Sequence, residues 1–136
     1  MHAAALGLTR LIAFIGERED QRAVLRAGDV AWVLAEEDTA AWAFLDAMAM
    51  RIPVVAERSP QAQRYVADGI AGMLLPPAET EATAATLATF LANDDRRAAM
   101  GAAGRARVAR EFNEGLMVDA FERAASAARE RSAWAV

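Results

Sequence analysis

The sequence predicts an α/β fold, in which a parallel sheet of about four strands is flanked by helices and followed by a helical C-terminal segment. Two observations lead to this prediction. Four short apolar runs alternate with helical patterns up to Pro77, and from Glu79 onward the apolar residues have helical spacing throughout. Strands of a parallel sheet are buried on both faces, which explains why these runs do not alternate between polar and apolar residues. The 136 residues suit one domain, with a strand–helix part at 8–77 and a helical part at 79–132.

Each element follows from its own residues. Residues 2–6 are alanine-rich and predict the last turn of a helix that ends at Gly7. The four predicted strands are LIAFIG at 11–16, DVAWVLA at 29–35, PVVAE at 53–57 and GMLLPP at 72–77. The helices predicted between them occupy residues 19–28, 39–51 and 60–68. Three later helices are marked by Leu87, Phe90 and Leu91, by Met100, Gly104, Val108 and Phe112, and by Met117, Phe121 and Ala124.

Composition argues against several classes of function. The chain has no cysteine and no lysine, and its one histidine is His2, so we expect no metal site, no thiolate or Schiff-base chemistry and no histidine general base. The net charge of -4 argues against nucleic acid as a partner, because phosphate neutralisation requires clustered basic charge. No apolar run reaches the roughly 20 residues of a membrane span, and the N-terminus does not resemble a signal peptide. We therefore expect a cytoplasmic protein.

The most suggestive loop follows the second predicted strand. Ligands of open parallel sheets bind at the carboxyl ends of the strands, which directs attention to the loops at 16–19, 35–40, 57–60 and 75–79. Within 35–40, Asp38 precedes a helix on which Asp46 follows eight residues later. Free N–H groups at the helix start would suit a phosphate, and a carboxylate further along would accept hydrogen bonds from ribose hydroxyls. The same residues are also explained without a ligand, since Asp38 or Thr39 is an ordinary N-cap and Asp46 a solvated side chain.

Four stretches of the chain carry a series of short motifs, and the longest is DVAWVLAEEDTAAWAFLDAMAMRIPVVAE at 29–57. It resembles the strand, acidic turn, second acid followed by AMA, and PVVA strand of the retaining glycosyltransferases of family 4, or group 1, which have the two-domain glycosyltransferase B fold. The later stretches are QAQRYVADGIAGMLLPPAETEATAATLATFL at 61–91 and DDRRAAMGAAGRARVAREFNEGLMVDAFERA at 94–124, and the upstream one is LGLTRLIAFIG at 6–16. The resemblance implies a Rossmann-like sheet that forms part of the C-terminal, donor-binding domain of that fold.

The resemblance also implies a role for each candidate site residue. The family's two acids face a nucleotide diphosphate sugar, the first near the transferred sugar and the second on the ribose, and by position they are Asp38 and Asp46. The turn that offers backbone amides to the pyrophosphate corresponds to Thr39, Ala40, Ala41 and Trp42. The loop near the base corresponds to Gly16 and Glu17. The nucleotide sugar is a substrate, and we expect neither a cofactor nor a metal.

The sequence departs from the family pattern in ways that bear on activity. Both acids are aspartate rather than glutamate, the two glycines of the turn are Thr39 and Ala41, and the usual glycine before the third strand is Arg51. Arg51 is explained as a solvated cation that suits the end of a helix. The family's acceptor domain, the first two strands of its donor domain and the cations that neutralise the leaving pyrophosphate have no counterpart in this chain. We therefore expect no catalysis by the chain alone.

Two functions stay open at this point. The chain is the donor-binding part of a glycosyltransferase, or it is a degenerate, non-catalytic Rossmann-like domain that serves folding or protein interaction. A receiver domain also uses acidic loops on parallel strands, but it requires a lysine that the chain does not have.

Several further expectations concern packing and assembly. We expect core positions for Trp32, Trp42, Phe44 and Tyr65, and close helix packing at Gly101 and Gly104. We expect solvated arginines, paired with nearby acids, at Arg96, Arg97, Arg105, Arg107 and Arg110. LIAFIG has no neighbour in the family's strand order, and DVAWVLA has an open edge. Either LIAFIG pairs with DVAWVLA in a four-stranded sheet, or two chains pair their strand edges or exchange the first strand. We favour the second alternative, a homodimer.

Overall fold

The structure, a computed structural model, describes residues 2–34, 41–77 and 80–133. Its helices are α1 (His2–Ala5), α2 (Gln21–Arg26), α3 (Ala41–Ala49), α4 (Pro60–Tyr65), α5 (Thr80–Leu91), α6 (Asp94–Glu111) and α7 (Glu114–Ala133). Its strands are β1 (Ala31–Val33), β2 (Val54–Glu57) and β3 (Gly72–Leu75). This order of elements confirms the predicted α/β fold with a parallel sheet and a helical C-terminal segment.

The three strands form one parallel sheet in the order β1-β2-β3. Strand β2 is central, and its Val54 lies opposite Ala31 of β1 and Gly72 of β3. Helix α3 connects β1 to β2, and α4 connects β2 to β3, so the sheet consists of two β-α-β units. This topology brings the carboxyl ends of the strands to one edge, where ligands bind in sheets of this kind.

Hydrophobic side chains cover both faces of the sheet at β2 and β3, which is why these strands are largely apolar, whereas β1 has no buried residue. One face buries Val54, Ala56 and Leu74 against Phe44, Ala47 and Met48 of α3 and Ala62 of α4. The other buries Val55, Met73 and Leu75 against Phe90 of α5 and Met100 of α6. Helix α3 is therefore held on the sheet by its buried side, and its opposite side is left for a site.

Two glycines bring α6 close to the end of α3. A Cβ atom at Gly101 would lie 2.0 Å from the backbone carbonyl oxygen of Arg51, and one at Gly104 would lie 3.1 Å from Cγ of Met48. Both glycines are buried. The prediction that these glycines permit close helix packing is confirmed.

The prediction of a first strand at LIAFIG, residues 11–16, is wrong. Residues 12–16 have no regular secondary structure, and the sheet has three strands among the described residues rather than about four. Leu11 and Phe14 leave 82% and 81% of their surface exposed. An apolar run supplies the side chains of a strand, but its backbone groups also need a neighbour with which to pair. The rearrangement that places LIAFIG beside β1 does not occur, and of the described strands only β2 pairs with β1.

The C-terminal helices confirm the predicted periodicity but only part of the predicted packing. On α6 the buried residues Met100 and Gly104 lie four apart, as the sequence predicts. On α7 the predicted apolar residues Met117 and Phe121 are exposed. The predicted pairing of α6 arginines with acids is confirmed for Arg97 with Asp94 and for Arg107 and Arg110 with Glu111. Arg97 and Arg107 are only partly exposed rather than solvated, and Arg105 donates to the carbonyl oxygen of Ala49 instead of pairing with an acid.

Candidate functional site

A cleft of about 650 Å³ opens between the segment that precedes α2, strand β1 and helix α3. It extends along β1 to Leu34, which follows the carboxyl end of that strand. Its walls are mainly apolar, with Ile15 and Val24 on one side. The cleft therefore runs along the open side of β1 and reaches the carboxyl end of that strand, where the sequence predicts a ligand.

Four of the predicted site residues meet in this cleft. Gly16 and Glu17 line it from the loop before α2, and Trp42 and Asp46 line it from α3. Trp42 and Asp46 are exposed and lie four residues apart on that helix, so they share one side of it. The structure thus brings together the predicted base loop and the second predicted acid, which are thirty residues apart in sequence.

The remaining predicted residues divide into two groups. Ala41 is the first described residue of α3, one position before Trp42. Asp38, Thr39 and Ala40 lie outside the described residues. Their predicted roles, near the transferred sugar and the pyrophosphate, stay predictions.

The loop before α2 turns at Gly16, where the backbone adopts a conformation that glycine tolerates better than other residues. Its φ is +62°, in the left-handed region that L side chains adopt only with strain. The chain turns there into Glu17 and Arg18, and both line the cleft. This loop became a candidate because it follows the predicted strand LIAFIG and because the resemblance places Gly16 and Glu17 near the base.

The expectation that Trp32 and Trp42 belong to the core is wrong. Trp32 is 51% exposed and Trp42 is 73% exposed, and both line the cleft. Phe44 is buried and Tyr65 stacks on it with ring centroids 5.7 Å apart, so the expectation holds for that pair. Trp42 lies two residues from Phe44 on α3, and residues so spaced point to opposite sides of a helix. The two tryptophans therefore give the cleft aromatic surface that a ring could stack on.

Arg18 is a cleft residue that was not predicted individually from the sequence. Its guanidinium makes a two-pronged contact with Asp20, with Nε 2.6 Å from Oδ1 and Nη2 2.8 Å from Oδ2. This hydrogen bond holds the pKa of Asp20 below its usual value and raises the pKa of Arg18, so both groups stay charged at neutral pH. The signal available in the sequence was the position of Arg18 within the candidate loop at 16–19.

A smaller depression of about 310 Å³ adjoins the cleft at the carboxyl ends of β1 and β2. It shares Val33 and Leu34 with the cleft and adds Glu57 and Ser59 from the loop after β2. Ser59 is also the N-cap of α4, because its hydroxyl accepts a hydrogen bond from Ala62 N–H at 3.1 Å. Of the four predicted loops, those at 16–19 and 57–60 therefore contribute to concave surface at this edge.

Two further kinds of site can be judged over the described residues. Nowhere in 2–34, 41–77 or 80–133 do three or more His, Cys, Asp or Glu side chains gather as a metal site would require. None of the helices in those ranges combines the length and apolarity that crossing a membrane requires.

Comparison of the sequence with known proteins gives a consistent family. A family model described as glycosyl transferases group 1 matches residues 1–107. The chain is 33% identical over 100 residues to a D-inositol 3-phosphate glycosyltransferase of Corynebacterium urealyticum, covering 72% of this chain and 24% of that protein. It is 25% identical over 119 residues to the lipopolysaccharide core biosynthesis glycosyltransferase LpsE of Rhizobium meliloti, covering 88% of this chain and 35% of that protein. The chain thus spans about a quarter to a third of these relatives.

Comparison of the fold points the same way. The structure of Anabaena HepE in complex with UDP and glucose superposes with a TM-score of 0.83 and 22% identity, covering 92% of this chain and 34% of HepE. Sucrose-phosphate synthase from Thermosynechococcus elongatus superposes with a TM-score of 0.80 and 26% identity, covering 93% of this chain and 33% of that one. The sheet and its helices therefore match part of each larger protein.

Proposed function

Because the chain belongs to the group 1 glycosyltransferases, we propose that it is the donor-binding part of such an enzyme and binds a nucleotide diphosphate sugar. The observation that carries this proposal is the meeting of Gly16, Glu17, Trp42 and Asp46 in one cleft. The similar HepE structure is a complex with UDP and glucose, which supports a nucleotide as the ligand of this chain as well.

Each wall of the cleft suits one part of a nucleotide. The Asp46 carboxylate is exposed on α3 and is free to accept hydrogen bonds from ribose hydroxyls. The loop at Gly16 and Glu17 offers backbone and carboxylate groups to the edge of a base, and the tryptophans offer stacking surface. Arg18 lines the same cleft, and although Asp20 offsets its charge, the guanidinium N–H groups that do not bond Asp20 could donate to a diphosphate.

The chemistry of transfer rests on residues whose positions are implied by the resemblance. Asp38 would lie near the transferred sugar, and the turn from Thr39 to Trp42 would present amides to the pyrophosphate at the start of α3. Thr39 and Ala41 carry side chains where the family has glycines, which narrows the approach of phosphate to backbone. We propose that the chain alone transfers no sugar, because transfer requires stabilised charge on the leaving pyrophosphate and a bound acceptor.

Nucleotide titration tests the proposed site. UDP and GDP are titrated separately into the purified chain and followed by amide chemical shifts, and the Asp46→Ala variant is titrated in parallel. We expect one nucleotide to bind and Asp46→Ala to weaken that binding about tenfold, which corresponds to the loss of one or two hydrogen bonds with a charged acceptor. The free energy of unfolding should change by less than about 0.5 kcal/mol, since Asp46 is exposed.

Asp119→Ala is the matched control, because it removes an exposed helical aspartate of α7 that lies outside the cleft. It should leave nucleotide affinity unchanged. A loss of stability in Asp46→Ala without a loss of affinity would contradict the proposed role of this side chain.

The degenerate module remains the second candidate, favoured by the substitutions at Thr39 and Ala41. It predicts that neither UDP nor GDP binds, with or without a sugar attached. A homodimer, a cytoplasmic location and independence from metal stay predictions.

A further inference from the structure

A second groove, which shares Asp46 with the nucleotide cleft, gathers four arginines. It encloses about 550 Å³ and is lined by Arg22 and Arg26 of α2, Arg51, Arg105 of α6 and one acid, Asp46. Four positive charges from three parts of the chain therefore face one carboxylate. In a protein with a net charge of -4, this is a local concentration of the opposite sign.

The backbone at Arg51 is held in a conformation that favours glycine. Its φ is +63°, and it is the one non-glycine residue with a positive φ among those the structure describes. Helix α6 packs directly on this residue, since a Cβ at Gly101 would lie 2.0 Å from the Arg51 carbonyl oxygen. An arginine here accepts backbone strain that glycine would avoid, and strain of this kind often accompanies a functional side chain.

The other arginines are not explained by helix ends alone. Arg26 in the last turn of α2 is where a cation suits the helix dipole, but Arg22 is the second residue of that helix, where the dipole opposes it. Arg22 and Arg26 lie one turn apart, so their charges repel each other. Within 2–34, 41–77 and 80–133 neither they nor Arg51 has an acidic partner in an ion pair.

Arg105 is positioned by a contact that leaves part of its guanidinium available. Its Nη1 donates to the carbonyl oxygen of Ala49 at 2.7 Å, at the C-terminal end of α3. A guanidinium has five N–H donors in a fixed fork, so one such bond leaves others to face the groove. Arg105 and Arg51 therefore both face the groove next to the end of α3.

We propose that this groove binds the phosphate group of a small soluble phosphate ester. One guanidinium can donate two parallel N–H hydrogen bonds to the oxygens of one phosphate, and several guanidinium groups together offset the charge of a phosphate dianion. The concave shape favours a small molecule over a flat anionic membrane surface. Asp46 borders the groove and would accept a hydrogen bond from a hydroxyl of the same ligand.

The arginines of this groove lie away from the place where the pyrophosphate is expected. The start of α3, where the pyrophosphate is expected, is separated from the helix end at Ala49 by about 12 Å at 1.5 Å per residue. The two concave surfaces share Asp46, which lines both. Loss of the guanidinium at Arg51 should therefore weaken phosphate binding and spare nucleotide binding.

The test is a titration of the chain with inorganic phosphate, followed by the side-chain Nε–H resonances of its arginines. We expect saturable shifts at Arg51, Arg22 and Arg26. Arg51→Gly should weaken binding about tenfold, and it should fold, because glycine suits the backbone there. Arg129→Ala removes an exposed arginine of α7 outside the groove and should leave the affinity within about twofold.

Two results would overturn the proposal. One is equal phosphate affinity in Arg51→Gly, Arg129→Ala and the wild type. The other is a lack of saturable chemical-shift changes up to tens of millimolar phosphate. If the chain then cosediments with vesicles of phosphatidylglycerol and phosphatidylcholine and Arg51→Gly does not, the arginines belong to a membrane-binding surface. The UDP or GDP affinity of Arg51→Gly is measured as well, because an unchanged value shows that the nucleotide site is intact whichever result the phosphate titration gives.

Discussion

Asp68 and Arg58 close the outer edge of strand β3. Oδ1 of Asp68 accepts the N–H of Leu74 at 2.8 Å, and Nη2 of Arg58 donates to the carbonyl oxygen of Leu74 at 3.1 Å. The two side chains also pair with each other at 2.6 Å. They bond backbone groups that another strand would otherwise have to satisfy, so this edge is protected from pairing with a second chain.

Asp68→Ala should lower the free energy of unfolding by about 1–2 kcal/mol, because it leaves the part-buried Leu74 N–H without its partner. Asp20→Ala, which breaks the exposed pair with Arg18, is the control and should cost less than about 0.5 kcal/mol. Urea denaturation at neutral pH measures both. Equal losses in the two variants would contradict a special role for the β3 edge.

The same substitution should show a defined pH dependence. Burial raises the pKa of Asp68, but the hydrogen bonds from Leu74 N–H and Arg58 outweigh it and hold this pKa below the usual 3.8. A depressed pKa stabilises the fold fully above the unfolded-state value, and this stabilisation is lost as the pH falls through the folded-state value. The stability gap between wild type and Asp68→Ala should therefore narrow as the pH falls below 3.8. A constant gap over that range would be evidence against ionic stabilisation at Asp68.

Residue types were predicted better than residue environments. Asp46 was singled out from the sequence as an acid on a helix, and Gly16 and Glu17 were assigned by the resemblance, and the structure brings all three to one cleft. It placed Trp32 in the core, because a large apolar residue in a strand gives the same signal whether or not another element covers it. The arginine groove was not predicted, since it depends on the approach of α2 and α6 to the end of α3.

At the scale of elements, the contact between α6 and Arg51 is tested by Gly101→Ala. Alanine in place of glycine within a helix normally stabilises by up to about 1 kcal/mol. Here the added methyl would meet backbone rather than a movable side chain, so we expect a loss of about 2–3 kcal/mol. Thermal or urea denaturation measures the change.

Gly28→Ala is the control for this prediction. A Cβ at Gly28 would lie 3.4 Å from the Leu25 carbonyl oxygen, which is ordinary contact, so stability should change little. If Gly101→Ala is as stable as wild type, α6 does not approach Arg51 as closely as the structure has it.

The existence of the elements was predicted well, because proline, glycine and apolar spacing act locally. Pro60 marks the start of α4 in the sequence, and the helix begins there. The strand predicted at LIAFIG does not form, because a strand needs a neighbouring strand for its backbone hydrogen bonds, and sequence periodicity does not show whether one is present. Helix α4 ends at Tyr65 rather than at the predicted residue 68, because Asp68 accepts a hydrogen bond from Leu74 of β3 instead of continuing the helix. This contact with a distant part of the chain is likewise not visible in the local sequence.

At the scale of the whole molecule, the described residues leave two apolar surfaces uncovered. One is the segment with Leu11 and Phe14, near the cleft that β1 lines, and the other lies on α7 around Phe121, which is 75% exposed. Strand β1 pairs with β2 on one side only, so the outward backbone groups of Trp32 have no strand partner among the described residues. Exposed apolar side chains beside an open edge favour association, whereas helix α7 offers no open backbone.

We therefore expect the chain to form a homodimer through the edge of β1 and the segment at 11–16 at micromolar concentration. Phe14→Glu should shift the dimer to monomer, because a buried unpaired charge at the contact costs several kcal/mol. Phe121→Glu is the matched control, with the same residue type at similar exposure on α7, and it should leave the dimer intact. Size-exclusion chromatography with light scattering measures the mass of each variant over a range of concentrations. A monomeric wild type would refute the dimer, and loss of the dimer in Phe121→Glu but not in Phe14→Glu would move the interface to α7.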